Sequence, residues 1–254
     1  MHLETVIYEK RDAIAIISFN KPEVLNAEGI QMTRDFLAAL KEAKADDDVK
    51  VVIIKGEGRA FCSGHDLSED TAGETVEKGL VFLEILQDTT RTILNMGKPV
   101  IAAVHGYALG AGCEWAMNCD IRIAAEGSKF GFPETSVGTT VTNAGTKLLP
   151  LLVGLGRAKE LVFANEMIDA AKAEKWGLVN RVVPLDTLND AVLDLAVKIA
   201  KNSLLALRLS KAALNRGSYQ DFEQTLEVEA KDVILCAYGS EGNELTAKAL
   251  EKIK

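Results

Sequence analysis

The stretch Lys98–Ala124 reads KPVIAAVHGYALGAGCEWAMNCDIRIA, and its pattern predicts the fold class. Pro99–His105 is a short, continuous apolar run that is typical of a buried strand. Three glycines follow, and Ala111–Cys119 then predicts a helix that leads into a second apolar strand, Ile121–Ala125. A strand, a helix and a strand in this order predict a right-handed crossover onto a mainly parallel sheet. We therefore expect an α/β protein.

The sequence before this stretch shows the same alternation of strands and helices. It predicts a hairpin of two strands, a helix, a buried strand and a long helix that ends near Asn95. The strands and helix before that long helix are predicted over Val6–Tyr8, Ile14–Phe19, Ala27–Ala43 and Val49–Ile54.

From about Thr187 onward the pattern predicts helices only. These are Leu188–Lys201, Ser203–Arg216, Phe222–Ala237 and Glu244–Lys254. We expect residues 1–186 to form an α/β core and residues 187–254 to form a helical extension that takes part in oligomerisation.

Composition and charge exclude several classes of function. The 254 residues carry a formal net charge of −8, whereas nucleic-acid binding needs a basic stripe. From the first residues we expect no signal peptide, and no apolar run comes near the roughly 20 residues of a membrane helix. Its four cysteines form no CxxC pair, and its three histidines are dispersed, so no metal site is predicted. We expect reduced thiols in a cytoplasmic protein that binds neither nucleic acid nor membrane.

The glycine-rich turn is the first candidate site. Gly110 and Gly112 begin a GxGxxG pattern, but Trp115 occupies the third position and argues against a dinucleotide site. A helix N-terminus suited to an anion or a developing oxyanion remains. Glu114 lies in its first turn among apolar neighbours, which favours a buried carboxyl group with a raised pKa. The alternative is a simple partner for the helix dipole.

A second acid, Glu134, follows Phe132 and Pro133. Taken alone, this pattern is typical of a helix start, with proline early and an acid in the first turn. The hypothesis of a functional Glu134 depends on its pairing with Glu114.

The loop Arg59–Ser68 is the other candidate, because it follows a predicted parallel strand at the edge where such sheets bind ligands. Cys62 and His65 suggest a thiol nucleophile and its base, but we favour Cys62 as buried apolar filling. Ser63–His65 is better interpreted as a turn whose backbone N–H faces a ligand carbonyl. His105 is expected to be a hydrogen-bonded core residue.

Several segments resemble the crotonase superfamily, of the enoyl-CoA hydratase and isomerase type. The resemblance covers essentially the whole chain, with the motifs in family order. Besides the stretch quoted first, these are KPEVLNA (Lys21–Ala27), FCSGHDL (Phe61–Leu67), FGFPETSVG (Phe130–Gly138) and AAKAEKWGLVNRVVP (Ala170–Pro184).

The resemblance implies a spiral of β-β-α units with a C-terminal helical layer, assembled as a homotrimer or as a hexamer of two trimers. It implies an oxyanion hole for an acyl-CoA thioester carbonyl, formed by the backbone N–H groups of His65 and Ala111. It places the CoA part of the substrate along loops with Val24, Leu25, Ala27, Asp66, Leu67 and Ser68, with Lys21 or a C-terminal lysine as its basic partner. CoA enters only within the substrate, and no cofactor is expected.

The reaction that the resemblance implies depends on the two acids. Hydratases of the family carry glutamates at the positions of Glu114 and Glu134, so we expect a lyase that adds water to a 2-enoyl-CoA or removes it. Isomerases commonly keep only the glutamate at the Glu134 position, which leaves double-bond isomerisation as the alternative. A catalytically idle acyl-CoA-binding subunit is a third hypothesis, because fold alone does not prove chemistry.

The sequence departs from the family pattern in two places. Thr139–Leu149 reads TTVTNAGTKLL, where many straight-chain hydratases have a segment rich in proline and glycine. Trp115 stands beside the first glutamate, where a smaller aliphatic residue is common. We expect both changes to reshape the acyl pocket.

Overall fold

The structure is a computed structural model that describes residues 3–69, 75–217, 220–237 and 251. Its main sheet has six strands in the order β1-β2-β3-β4-β6-β9, and a second sheet has three strands in the order β5-β7-β8. The main sheet consists of β1 (Val6–Arg11), β2 (Ile14–Phe19), β3 (Val51–Gly56), β4 (Val100–Val104), β6 (Ile121–Ala125) and β9 (Arg181–Val183). The small sheet consists of β5 (Tyr107–Leu109), β7 (Lys129–Gly131) and β8 (Ile168–Asp169).

The main sheet is parallel from β2 to β9, and only the β1–β2 hairpin is antiparallel. Its central strands are continuous apolar runs because helices cover both faces. This architecture confirms the predicted α/β class with a mainly parallel sheet.

The helices lie between the strands and after them. They are α1 (Ile30–Ala45), α2 (Val76–Asn95), α3 (Ala111–Asn118), α4 (Gly145–Val153), α5 (Leu155–Ala164), α6 (Ala170–Trp176), α7 (Leu188–Ala200), α8 (Leu204–Gly217) and α9 (Phe222–Ala237). A short 3-10 helix over Glu134–Val137 follows β7. The helix predicted over Glu244–Lys254 lies outside the described residues, apart from residue 251. No described helix is long and apolar enough to cross a membrane.

The core is divided by the main sheet into two layers. The larger layer holds the aromatic cluster of Phe19, Phe36 and Trp115. The smaller layer packs β2, β3, β4 and β6 against Leu188, Val192 and Ala196 of α7. The boundary expected at residue 187 therefore falls directly before a helix that covers one face of the sheet.

The strands β5, β7, β8 and β9 carry no clear signal in the sequence. Each has only two or three residues, which is too short for a hydrophobic period to be seen. They matter for the site, because β5 and β7 pair in parallel directly before the two candidate acids.

Candidate active site

Two loops meet at the start of α3. Cys62 N–H donates to Tyr107 O at 3.0 Å, and Leu109 N–H donates to Cys62 O at 3.1 Å. Gly64 has a φ of +97°, and a Cβ atom there would lie only 2.9 Å from Leu109 O. Only glycine permits this backbone conformation together with so close an approach. The loop after β3 is thus held against the turn between β5 and α3.

Glu114 is 1% exposed, and both of its carboxylate oxygens are held from the segment that precedes α4. Thr142 N–H donates to Oε1 at 2.6 Å, and Asn143 Nδ2 donates to Oε2 at 2.8 Å. Burial raises the pKa of Glu114 to about 7, while the two donated hydrogen bonds act in the opposite direction. The charge of Glu134 also raises the pKa of Glu114, so the two carboxyl groups interact electrostatically.

Glu134 begins the 3-10 helix after β7 and is 8% exposed. Neither of its carboxylate oxygens has a hydrogen-bond partner among the described residues, and burial raises its pKa. A Cβ atom on Gly110 would lie 3.5 Å from Glu134 Oε1 and 3.8 Å from Gly64 Cα. Glu134 therefore lies against the same turn that begins α3.

Two backbone N–H groups flank this turn. Ala111 is the first residue of α3, so its N–H has no acceptor within the helix. His65 lies between Gly64, whose carbonyl accepts from Glu28 N–H, and Asp66, whose N–H donates to Glu28 O, each at 2.7 Å. These two hydrogen bonds use the carbonyl of Gly64 and the N–H of Asp66, and the backbone N–H of His65 takes no part in them.

The His65 side chain is held by the buried acid Glu28. Its Nδ1 lies 2.9 Å from Glu28 Oε2, and Thr33 Oγ1 donates to Glu28 Oε1 at 2.6 Å. Glu28 is 1% exposed, and its hydrogen bond raises the pKa of His65. Glu28 could not be predicted from the sequence, because its partner is 37 residues away and no local pattern links the two.

The segment that carries Val24, Leu25 and Ala27 runs beside this loop. Ser63 N–H donates to Leu25 O at 3.1 Å, and Ala27 N–H donates to Val24 O at 3.1 Å. Ala27 is buried and Val24 is exposed. The structure therefore brings both expected CoA-binding loops together.

The remaining expected CoA-binding residues lie at the outer end of the second loop. Leu67 and Ser68 are exposed, and the Asp66 carboxylate accepts hydrogen bonds from the N–H and hydroxyl of Ser68. Lys21 Nζ lies 3.6 Å from Asp66 Oδ2 and is the cation beside these loops.

The Trp115 side chain lies in the core. Its ring stacks on Phe19 with centroids 5.0 Å apart, and its indole N–H donates to Thr89 Oγ1 at 3.0 Å. The neighbouring Glu114 carboxylate instead contacts Thr142 and Asn143, so an effect of Trp115 on the acyl pocket stays a prediction.

The other candidate groups have structural surroundings. Cys62 is fully buried, and burial raises the pKa of its thiol to about 12, which fits buried apolar filling better than an activated nucleophile. His105 Nε2 lies 3.0 Å from Gly58 O, as expected of a hydrogen-bonded histidine, although its side chain is only partly buried. The described residues contain no cluster of His, Cys, Asp or Glu that could hold a metal ion.

Known structures share this fold. An enoyl-CoA hydratase from Bacillus anthracis superposes with a TM-score of 0.93 at 32% sequence identity, covering 98% of this chain and 97% of that one. An enoyl-CoA hydratase subunit from Geobacillus kaustophilus superposes with a TM-score of 0.92 at 33% identity, covering 98% and 96%. These similarities identify the class of protein as one with the crotonase fold.

Sequence comparison gives the family. The enoyl-CoA hydratase/isomerase family model matches residues 9–238. A crotonyl-CoA hydratase from Syntrophomonas wolfei is 40% identical over 100% of this chain and 98% of its own length. A short-chain-enoyl-CoA hydratase from Clostridium acetobutylicum is 38% identical over 100% and 97%. The chain belongs to the enoyl-CoA hydratase/isomerase family, as its motifs predict.

Proposed function

We infer that this protein is an enoyl-CoA hydratase, which adds water across the double bond of a 2-enoyl-CoA or removes it in the reverse direction. The observation that carries this conclusion is a pair of buried acids, Glu114 in the first turn of α3 and Glu134 beside Gly110. Glu114 is held by two donors, and Glu134 keeps both oxygens unpartnered among the described residues. Its full-length relatives named as hydratases support the same reaction.

We propose that the thioester carbonyl oxygen accepts hydrogen bonds from the N–H groups of His65 and Ala111. Both groups lie beside the contact between Gly64 and Gly110, and Ala111 adds the positive end of the α3 dipole. As water adds to Cβ, negative charge moves onto this oxygen, so the two donors bind the enolate-like state more strongly than the substrate.

The surroundings of the two acids favour Glu114 as the general base and Glu134 as the general acid. Two donors favour the ionised form of Glu114, which fits a base that takes a proton from water. Burial raises the pKa of Glu134, and no other described residue donates a hydrogen bond to its carboxylate, which fits an acid that delivers a proton to Cα. The water oxygen keeps one hydrogen and bonds to Cβ, its other proton passes to Glu114, and Glu134 gives its own proton to Cα. The proton gained by Glu114 then passes to Glu134, which restores the starting state of both acids.

We test this proposal with but-2-enoyl-CoA, following the loss of enoyl-thioester absorbance and the gain of one water by mass spectrometry. The wild-type protein should turn over, and the variants Glu114→Gln and Glu134→Gln should each lose about 10²- to 10⁴-fold in kcat. Glu126→Gln changes an exposed acid after β6 and is the matched control, which should keep full activity. Equal activity in all four proteins would overturn the proposal.

The same variants distinguish the isomerase alternative. An enzyme that moves the double bond with Glu134 alone would convert a 3-enoyl-CoA and keep that activity in Glu114→Gln. The two hydrogen bonds to Glu114 favour the hydratase, because an isomerase has no attacking water for this base to activate.

We propose further that Lys21, beside Asp66, helps to hold the CoA part of the substrate along the loops expected to bind it. Lys21→Ala should raise KM and leave kcat nearly unchanged, since this contact would be equal in substrate and transition state. Lys175→Ala, at an exposed lysine near the C-terminal end of α6, should change neither constant.

The proposal includes a homotrimer or a hexamer of two trimers in which the C-terminal helices pack across subunits. Phe222, Leu226 and Val233 of α9 are 87%, 54% and 63% exposed in the single chain, as expected of side chains that a neighbour covers. Light scattering on wild-type protein and on Leu226→Glu tests this, and an unchanged mass would exclude α9 from the interface.

The four free thiols also fit a cytoplasmic location.

A further inference from the structure

The segment that departs from the family pattern, Thr139–Leu149, has an unusual backbone before α4. Asn143 has a φ of 45° and Ala144 a φ of 62°, so two consecutive non-glycine residues adopt the left-handed conformation. Asparagine enters this region more readily than most residues, whereas alanine does so at a cost. Such a conformation persists only where the surrounding contacts hold it.

This backbone buries the Asn143 side chain against Glu114. Asn143 is 1% exposed, and its Nδ2 donates to Glu114 Oε2 at 2.8 Å, across 29 residues of sequence. The neighbouring Thr142 N–H occupies Oε1. One turn therefore supplies one donor to each oxygen of the carboxylate, which fixes its position and its orientation.

The other polar atom of the Asn143 amide has no partner. Its Oδ1 is fully buried and accepts no hydrogen bond from any described residue, and the same is true of both oxygens of Glu134. A buried acceptor without a donor is unfavourable, and in a native protein it calls for an explanation. All three oxygens belong to residues that act on Glu114, Asn143 through its hydrogen bond and Glu134 through its charge, which points to a hydrogen-bond donor that the described residues do not supply.

We propose that Asn143 is a positioning residue, which orients Glu114 through Nδ2 and accepts a hydrogen bond from the attacking water through Oδ1. The inference rests on the proposed hydration reaction and adds a residue to it. Asn143 would hold the base and its water in one fixed arrangement, so the water approaches the substrate with a lone pair free.

The geometry permits one water to contact both groups. Glu114 Oε2 and Asn143 Nδ2 are 2.8 Å apart, and the two polar atoms of one amide are separated by about 2.3 Å. Glu114 Oε2 and Asn143 Oδ1 are therefore at most about 5 Å apart, and a water that bonds to both can bridge this distance.

Asn143 also acts against the charges that surround Glu114. Glu134, on the 3-10 helix, and Glu28, ahead of α1, both raise the pKa of Glu114, as does burial. The hydrogen bond from Asn143 lowers that pKa and helps to keep the base ionised at neutral pH.

The test uses Asn143→Gly and Asn143→Asp. Glycine removes the side chain and accepts the positive φ without strain, and aspartate keeps the shape but loses the donor. Both variants should lower kcat by about 10- to 100-fold and leave KM within about threefold, because the contacts with CoA are unchanged. The acid limb of the kcat profile should move to higher pH, because Glu114 then needs a higher pH to ionise.

Asn118→Ala is the matched control. Asn118 is also 1% exposed, donates through Nδ2 to Thr90 Oγ1 at 2.7 Å and has a buried, unpartnered Oδ1, but it lies at the far end of α3. It should affect stability without moving the pH profile. A similar loss of kcat in Asn118→Ala would reduce Asn143 to a structural role and overturn the proposal.

A second measurement does not depend on turnover. The ¹³C signal of the Glu114 carboxyl group, assigned by its loss in Glu114→Gln, is titrated without substrate in wild-type protein and in Asn143→Gly. The midpoint should rise in the variant, and an unchanged midpoint would overturn the role of Asn143. If the midpoint rises although wild-type protein adds no water to a 2-enoyl-CoA, the hydration proposal fails and the positioning of Glu114 by Asn143 stands.

Discussion

Buried charges occur in two regions of this protein, and they are treated in opposite ways. Around the ends of β4 and β6, Lys98 and Arg122 donate to backbone carbonyls, and Lys211 donates to Ile93 O, Lys98 O and the Asp120 carboxylate. At the start of α3, Glu134 and Asn143 keep buried oxygens that no described residue bonds. All five of these buried polar side chains are at most 8% exposed.

The difference separates a structural use of burial from the catalytic use that we propose for Glu134 and Asn143. The cations tie α8 and the ends of the strands to the core, and each offers its donors to fixed acceptors. The acceptors of Glu134 and Asn143 have no partner among the described residues, which costs stability, and the proposed reaction would supply their donors.

Removing a structural cation should cost stability and leave the chemistry intact. Lys211→Met loses three hydrogen bonds and leaves the Asp120 carboxylate without its cation, so the free energy of unfolding should fall by about 3 kcal/mol. Urea titration measures this change, and kcat at a temperature where the variant is folded should equal the wild-type value. Lys198→Met, at an exposed position of α7, is the control and should change the free energy very little. An equal loss of unfolding free energy in both variants would show that burial and the hydrogen bonds of Lys211 add nothing to stability.

The acids should make stability fall as pH rises. The pKa of Glu114 is raised from 4.5 to about 7 on folding, so the native state binds this proton more tightly than the unfolded chain. This contribution is fully present below pH 4.5 and is lost as pH rises to about 7, a change of about 3 kcal/mol. As the pH rises between these values, wild-type protein should therefore lose about 3 kcal/mol of stability relative to Glu114→Gln, which lacks the titrating group. If the difference in free energy of unfolding between Glu114→Gln and wild type did not change with pH, the pKa of Glu114 would not be raised on folding.

Replacing Glu134, whose carboxylate has no partner among the described residues, should stabilise the fold and abolish activity. Glu134→Met replaces a buried carboxyl group without partners by an apolar chain of similar shape, which should raise the free energy of unfolding by about 1 kcal/mol. Thermal unfolding and turnover measured on one preparation test both halves of this prediction. A loss of stability similar to that of Lys211→Met would remove the contrast between the two regions.

We expect the smallest of these effects at Glu28. This buried residue pairs through its backbone with the loop at Gly64 and Asp66 and holds the His65 side chain through its carboxylate. Glu28→Gln keeps the backbone pairing with Gly64 and Asp66 but loses the charge that faces His65. We expect the pKa of His65 to fall, and kcat to fall by about fivefold through a less firmly held His65 N–H. NMR titration and steady-state kinetics measure these changes. Glu23→Gln, at an exposed acid of the same N-terminal loop, should show neither.

The sequence predicted best where burial leaves a continuous local pattern. Strands β2 and β6 begin and end at the predicted residues, because a mostly apolar run between helices is buried along nearly its whole length. The start of α3 at Ala111 was also correct, since the glycines mark it. The strands of the small sheet were missed, because two or three residues show no period and their pairing depends on segments far along the chain.

The site divides in the same way. The two acids and the glycine-rich turn stand in local patterns that the sequence displays, and the family motifs identify the positions of His65 and Ala111. Only the tertiary structure joins Asn143 to Glu114 and Glu28 to His65, and only it turns the Trp115 ring into the core. The physical reason is that the sequence fixes the chemistry and local backbone preference of each residue, whereas contacts across about 30 residues depend on how strands and helices pack.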